Sequence, residues 1–399
     1  MVVFALYPLG ETRVQREAEA LVKHGYEVDV ICLREPGSLP VDQYKGVTIY
    51  REKFQFSTGW LKSGLWDKLY SYIFFFITAA FRLTRLHLEN HYTTIQVHNM
   101  PDFLVFCALI PNLLGTAILL DSHDLMPEFY GGRYGKRKSI SALIILLQEK
   151  LSCRFADHVI TVTEQWRQKL IRRGVSETKC SVVMNVADEN IFHPLPQSPN
   201  QLFQKENFRL IYHGAFVKRN GLDLAVQAIN RVRRDIPGIH LTLIGGGEEK
   251  QNLLHLVEEL GLDRQVSFKD LRPAEELPEI IRSCDIGIAP IRNDVFTEYA
   301  LPTKLMEYAA MGIPAIAGGT PVNREYFSNT NTEFFEPGNA EDLARCILML
   351  YQNPDRLKEL SLKSQNFNQR YNWPKISAEY VSLVNRLGGV EPGIDIGNQ

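Results

Sequence analysis

The chain has 399 residues, 45% of them hydrophobic and 23% charged, which is longer than one hydrophobic core supports and too apolar for wholesale disorder. A formal charge of -2 excludes a protein held on nucleic acid by an overall basic field, while leaving room for local basic patches. The six cysteines are scattered from Cys32 to Cys346 with no CxxC pair, so free thiols in a reducing, cytoplasmic compartment are expected and a zinc cage or disulfide framework is not.

The first residues, MVVFALYPLGETRVQRE, show no basic leader and no small-residue cleavage site, and read as a strand that starts at once. Val14, Ala18, Leu21 and Val22 then mark the apolar stripe of a helix that ends at Gly25. In the loop between them, Gly10 permits close backbone approach to a ligand. Arg13 and Arg16, just beyond, read equally well as the polar face of that helix or as cations turned to an anion.

The run from Leu69 to Phe81 is strongly apolar but too short to span a bilayer. Two readings stay open. One is a buried helix; the other is a helix in the headgroup region, with Trp60, Trp66, Tyr70 and Tyr72 as anchors and Lys62, Lys68, Arg82 and Arg85 as a basic flank.

The strand-like runs VVFALY, EVDVICL, TTIQVHN, AILLDSH and HVITVT alternate with helical stretches, the pattern of a doubly wound parallel sheet. The βα rhythm pauses in a proline- and amide-rich stretch and restarts with FRLIYHG, HLTLIGGG, QVSFKD, IGIAPI and PAIAGG. This predicts an α/β protein of two Rossmann-like domains facing a cleft. The first spans residues 1–190 and the second 208–372, with a linker over 191–207 and a C-terminal helix over 373–388. Ligands of such sheets bind in the loops after the strands.

Three of those loops hold chemistry. Ser122, His123, Asp124 and Glu128 follow the AILLDSH strand, and with His98 and Asp102 they offer a divalent-metal reading through His98, Asp102, His123 and Asp124. GGGEE, from Gly245 to Glu249, is an incomplete nucleotide fingerprint. In YALPTKLMEYAAMGIPAIAGG, from Tyr299 to Gly319, Thr303 is placed to N-cap a helix that stops at Gly312. The helix N-terminus and Lys304 together suit a diphosphate, and Glu307, one turn on, suits ribose hydroxyls. An exposed Lys304–Glu307 salt bridge is the bland alternative.

Glu307 with MGIPAIAGG, in order with ETRVQREAEALVKHGYEVDVICLR, HVITVTEQWRQKLIRRGV, LIYHGAFVKRNGLDLAVQAI and WPKISAEYVSLVNRL, resembles glycosyltransferase family 4. The resemblance covers nearly the whole chain. It implies the GT-B fold, with the last helix crossing back to the first domain. It also implies retaining, metal-independent hexose transfer from a UDP- or GDP-sugar to a glycan or polyprenyl-linked acceptor, as in exopolysaccharide or envelope polysaccharide synthesis.

By the same resemblance His123 lines the cleft beside the anomeric carbon, Arg219 and Lys304 face the diphosphate, and Gly10, Glu11 and Arg13 meet the acceptor and its phosphate. Gly214, Tyr299, Leu301, Pro302, Thr303 and Glu307 complete the donor site. Two departures stand out. Tyr299 replaces the family's first glutamate, with Glu298 one residue off, and Ala215 and Asn220 stand where an arginine and a lysine are common. These departures raise the rival expectation of an inactive GT-B scaffold. An epimerase or a phosphorylase on the same fold is the enzymatic rival.

Overall fold

Two largely parallel sheets form in the computed structural model, which describes residues 1–8, 11–53, 65–134, 140–194, 207–327 and 331–389. The chain divides into two compact units, Met1–Asn185 with Pro374–Gln399, and Val186–Trp373. Most of the predicted linker, residues 195–206, lies outside the described residues.

The first unit contains β1 (Val2–Leu6), β2 (Val28–Leu33), β3 (Val41–Tyr44), β4 (Val47–Glu52), β5 (Thr94–His98), β6 (Ala117–Asp121), β7 (His158–Thr161) and β8 (Cys180–Val182). Their order is β3-β4-β2-β1-β5-β6-β7-β8, parallel except where β3 meets β4. The five runs read from the sequence are β1, β2, β5, β6 and β7. The β3–β4 hairpin is additional, turning at Lys45 and Gly46, both at positive φ (47° and 80°), as a tight hairpin turn needs. Strand order reverses between β1 and β5, so the carboxyl ends of these strands form a switch point.

The helices are α1 (Thr12–Lys23), α2 (Leu65–Asn90), α3 (Leu109–Leu113), α4 (Met126–Tyr134), α5 (Ile140–Phe155) and α6 (Glu164–Arg172). A 3-10 segment, Asp102–Ala108, leads into α3 and packs against both α2 and α5, so these elements make one continuous layer over the sheet. Phe76 meets Phe103 at 5.9 Å between ring centroids, and Phe106 meets Phe155 at 5.1 Å.

In the second unit, β9 (Arg209–His213), β10 (His240–Ile244), β11 (Val266–Lys269), β12 (Ile286–Ala289), β13 (Ala315–Gly318) and β14 (Thr332–Phe335) pair in the order β11-β10-β9-β12-β13-β14, all parallel. Its switch point lies between β9 and β12. Around it run α7 (Leu222–Val232), α8 (Lys250–Glu259), α9 (Leu277–Arg282), α10 (Thr303–Met311), α11 (Pro321–Tyr326), α12 (Ala340–Gln352) and α13 (Pro354–Arg370). Helix α10 reaches β12 because Gly287 has no side chain: a Cβ there would lie 2.3 Å from the Tyr308 ring.

The last helix, α14 (Trp373–Gly388), belongs almost wholly to the first unit. Ile376, Tyr380, Val381, Leu383 and Val384 are buried, and the Tyr380 hydroxyl donates to Gln96 Oε1 at 2.5 Å. Apolar burial supplies the affinity of this contact, and the hydrogen bond fixes its register.

Candidate active site

At the first switch point, polar side chains are buried against one another. Asp121, at the end of β6, takes Nε of Arg13 on Oδ2 at 2.8 Å and Nη2 on Oδ1 at 2.9 Å, and Arg13 Nη1 donates to the Val183 carbonyl at 2.8 Å. Arg13 also stands 3.1 Å from Glu17. Glu17 accepts from Gln96 Nε2 at 2.7 Å, and Gln96 accepts from Tyr380. The chain of contacts therefore runs from the strand end to α14. Burial lifts the Glu17 carboxyl to about 7, against the pull of Arg13.

Two imidazoles share the remaining capacity of Asp121. His98 Nδ1 lies 2.8 Å and His123 Nδ1 3.2 Å from Oδ2. Their fates differ. His98 is fully buried, and desolvation pulls it down to about 4 despite Asp121. For His123, 19% exposed, desolvation also works against the charge, but Asp121 overcomes it and lifts the ring to about 9. His123 is therefore a cation at neutral pH and His98 is not. Burial opposes ionisation of Asp121 too, yet Arg13 and the imidazoles hold its carboxyl well below the usual range.

At the second switch point, His213 ends β9 and Gly214 follows. The Lys304 ammonium sits 4.9 Å from the Tyr212 ring centroid, and a Cβ on Gly214 would lie 3.6 Å from Lys304 Cε. Burial lowers Lys304 to about 8, with Glu307 acting in the opposite sense. His213 Nε2 is 3.2 Å from Glu307 Oε2, and burial, then Lys304, pull that imidazole down to about 3, so it is neutral. Pro302, the N-cap of α10, contributes no side-chain acceptor to the first turn, where Lys304 stands. Backbone N–H groups, a helix dipole and a cation converge there, as a diphosphate site requires.

Family models match most of the chain: "Glycosyl transferase 4-like domain" over residues 10–185 and "Glycosyl transferases group 1" over residues 196–367. The chain belongs to glycosyltransferase family 4. It is 24% identical to an uncharacterized glycosyltransferase of Haemophilus influenzae, over 92% of this chain and 93% of that one. It is 22% identical to a chitobiosyldiphosphodolichol beta-mannosyltransferase of Debaryomyces hansenii, over 65% and 61%. Its fold is similar to sucrose-phosphate synthase from Thermosynechococcus elongatus (TM-score 0.78, 20% identity, 97% and 98% covered). It is also similar to Anabaena HepE, solved in complex with UDP (TM-score 0.71, 17% identity, 96% and 98% covered). The fold is thus GT-B, two Rossmann-like parallel sheets with helices.

In this glycosyltransferase several expected residues take other places. Arg13 does not face an acceptor: it is 6% exposed, and its donors are committed to Asp121, Val183 and Glu17. Glu11 precedes α1, and burial raises its carboxyl above the ordinary value, with the His123 charge the largest opposing influence. Gly10 lies outside the described residues. Thr303 is the first residue of α10 and not its cap, because Pro302 already holds the extended cap geometry (φ -68°, ψ 122°). Lys304, 9% exposed, is not half of an exposed salt bridge.

Asn220, where the family commonly has a lysine, donates to the Tyr212 hydroxyl at 2.9 Å and the Ala215 carbonyl at 2.7 Å. It braces the loop beneath Lys304. The turn Lys218–Asn220 carrying Arg219 is tied down by Arg292, which grips Asp223 through both guanidinium nitrogens at 2.8 and 2.6 Å and donates to the Lys218 carbonyl. Arg219 itself lies 4.7 Å over the Phe296 ring, three residues before Tyr299. Gly245 serves packing: a Cβ there would lie 2.0 Å from the Gly214 carbonyl oxygen.

The alternative metal reading through His98, Asp102, His123 and Asp124 is not the set that the fold assembles. Among the described residues His98, Asp121 and His123 converge, whereas Asp102 accepts from Asn99 at 2.8 Å. Glu128 pairs with Lys169 at 2.9 Å and with Arg173. His213 and Asp121 are the residues that the sequence reading passed over. Each is a polar residue at the very end of a strand, and that position was the available signal.

Proposed function

We propose that this glycosyltransferase moves a hexose-type sugar from a UDP- or GDP-sugar, with retention and without a metal, onto a glycan or polyprenyl-linked acceptor. The setting we infer is exopolysaccharide or envelope polysaccharide assembly, in the cytoplasm at the inner face of the plasma membrane. The observation that carries the reading is Lys304 on the first turn of α10 with Glu307 one turn on, seated against Tyr212, His213 and Gly214.

In this reading Lys304, Arg219 and the α10 N-terminus hold the diphosphate. They stabilise it more as it leaves than before, which lowers the barrier. Glu307 accepts the ribose hydroxyls, while backbone groups of Leu301 to Lys304, with Tyr299 beside them, meet the sugar. His123 contacts a sugar hydroxyl in the first domain, and the departing phosphate oxygen takes the acceptor proton on the same face. The diphosphodolichol in the name of the D. hansenii relative supports the lipid-linked form of the acceptor.

A thermal-shift screen across UDP- and GDP-sugars tests the donor, because a ligand bound only by the folded state raises the midpoint. No shift with any nucleotide sugar defeats the reading. The anomeric configuration of the product, by NMR, then tests retention. An inactive scaffold is the second reading, favoured by Asn220 serving as a brace where a cation is common. It predicts no slow hydrolysis of the bound nucleotide sugar in the absence of acceptor.

A further inference from the structure

Of the 22 large apolar side chains exposed among the described residues, 16 lie on α2, on α3 with the adjacent Leu114, and on α5. These helices belong to one layer, joined through the Asp102–Ala108 segment. On α5, Ile140, Leu143, Ile144, Leu147 and Leu151 are between 48% and 79% exposed, and their spacing puts them on a single stripe. On α2, Phe75, Ala79 and Leu83 are buried, while Ile73, Phe74, Ile77 and Phe81 turn outward. Both helices are therefore apolar on the side that the fold leaves uncovered. Exposed apolar side chains gathered on neighbouring helices in this way mark an interaction surface.

The charges select the occupant. The exposed ionisable residues of α5 are Lys150 and Arg154, both cations, while its acid, Glu149, is buried against Arg173 at 2.8 Å. Helix α3 has no ionisable residue. On α2, Arg82 engages Glu52, and the exposed pair Arg85 and Glu89 stands in the last two turns. Apolar stripes with a cationic rim match acyl chains beneath anionic headgroups. Among the described residues no helix is long and apolar enough to cross a membrane, so the layer would lie in the interface.

We propose that α2, α3 and α5 together form a docking face for an anionic lipid surface. The proposal rests on the lipid-linked acceptor reading and widens the contact from the Leu69–Phe81 run to three helices.

The test is flotation of the full chain with vesicles of phosphatidylcholine alone or mixed with phosphatidylglycerol. It compares wild type with a variant carrying Leu143→Ser, Ile144→Ser and Leu147→Ser. The wild type should float with the mixed vesicles, less with phosphatidylcholine alone and less as salt rises. The variant, with unchanged circular dichroism and UDP affinity, should lose at least about tenfold in partitioning. A wild type that stays unbound to both vesicles overturns the proposal. So does a variant that floats as well as the wild type, or a lipid-free wild-type dimer that the substitutions dissolve without any flotation, which would assign the face to a second copy. Flotation needs neither donor nor acceptor. A protein that floats yet glycosylates only soluble glycans would therefore sustain this face and defeat the acceptor reading.

Discussion

The two switch points are built from similar residues and differ in what those residues are free to do. In the first domain the cation Arg13 is spent on Asp121 inside the protein, and His123 is the charged group left at the edge. In the second domain Lys304 rests against an aromatic ring and a glycine, and Glu307 lies beside a neutral imidazole. The first arrangement neutralises itself and reads as architecture that presents one group. The second holds a desolvated cation at a helix N-terminus, which a bound anion would stabilise.

The sharpest way to break this contrast is Arg13→Met. It leaves Asp121 buried without its guanidinium and Glu17 without its neighbour, so the first domain should lose about 3–5 kcal/mol, read from the urea midpoint of its transition. UDP affinity should not change. A variant of wild-type stability that no longer accepts glycan would mean that Arg13 faces the acceptor after all.

Next in size is Glu307→Ala, which should preserve the fold and weaken UDP or GDP binding about ten- to a hundredfold, a loss of roughly 1.5–3 kcal/mol in all from its charge-assisted hydrogen bonding to ribose. Unchanged affinity by calorimetry would remove Glu307 from the donor site.

The contrast also marks what the sequence made legible. The βα rhythm, the second start of that rhythm near Phe208 and the return of the last helix were all readable, because they depend on apolar periodicity. A helix from Lys304 to Met311 with its stop at Gly312 was readable from local residue chemistry, one residue short of the observed start at Thr303, and Gly312 does adopt φ 71°. Arg13 was misread for a physical reason. A charged residue one position from a helix start looks solvent-facing until the fold brings a carboxylate from 108 positions away to meet it. His213 was invisible for the same reason, since its partner Glu307 comes from another element. Pairings of high sequence separation have no local signature. The exposed side of α5 could not be told from a core helix, because periodicity does not say which apolar face the fold will cover.

The pH responses of the two sites should have opposite signs. His123 titrates at about 9 in the folded protein, above its ordinary 6.5, so its contribution to stability is fully present below 6.5 and is lost as pH rises through 9. Lys304 titrates at about 8, below its ordinary 10.5. Between those values the unfolded chain binds the proton that the folded protein gives up, so this group makes stability rise with pH. Nucleotide affinity should run the other way and fall about tenfold for each pKa unit by which the diphosphate stabilises the Lys304 charge, beginning near pH 8. Calorimetric titration of UDP across this range, repeated with Lys304→Met, checks it. An equal decline in the variant would assign the effect elsewhere.

The smallest expected effect belongs to chelation. His98, Asp121 and His123 are close enough to suggest a metal site, but the donor set is already in use. Both oxygens of Asp121 accept from Arg13, at 2.8 and 2.9 Å, and its Oδ2 also faces the two imidazoles. A divalent ion on that carboxylate would have to sit beside a buried guanidinium and would need His123 to surrender the proton that Asp121 stabilises. Each requirement works against ion binding. In the proposed reading, diphosphate charge in the second domain would be met by Lys304 and the α10 terminus. Transfer, once a donor is found, should therefore proceed at an unchanged rate in EDTA. Loss of activity restored by Mg²⁺ or Mn²⁺ would break the comparison at its root, since the first switch point would then be an ion site that Arg13 only partly fills.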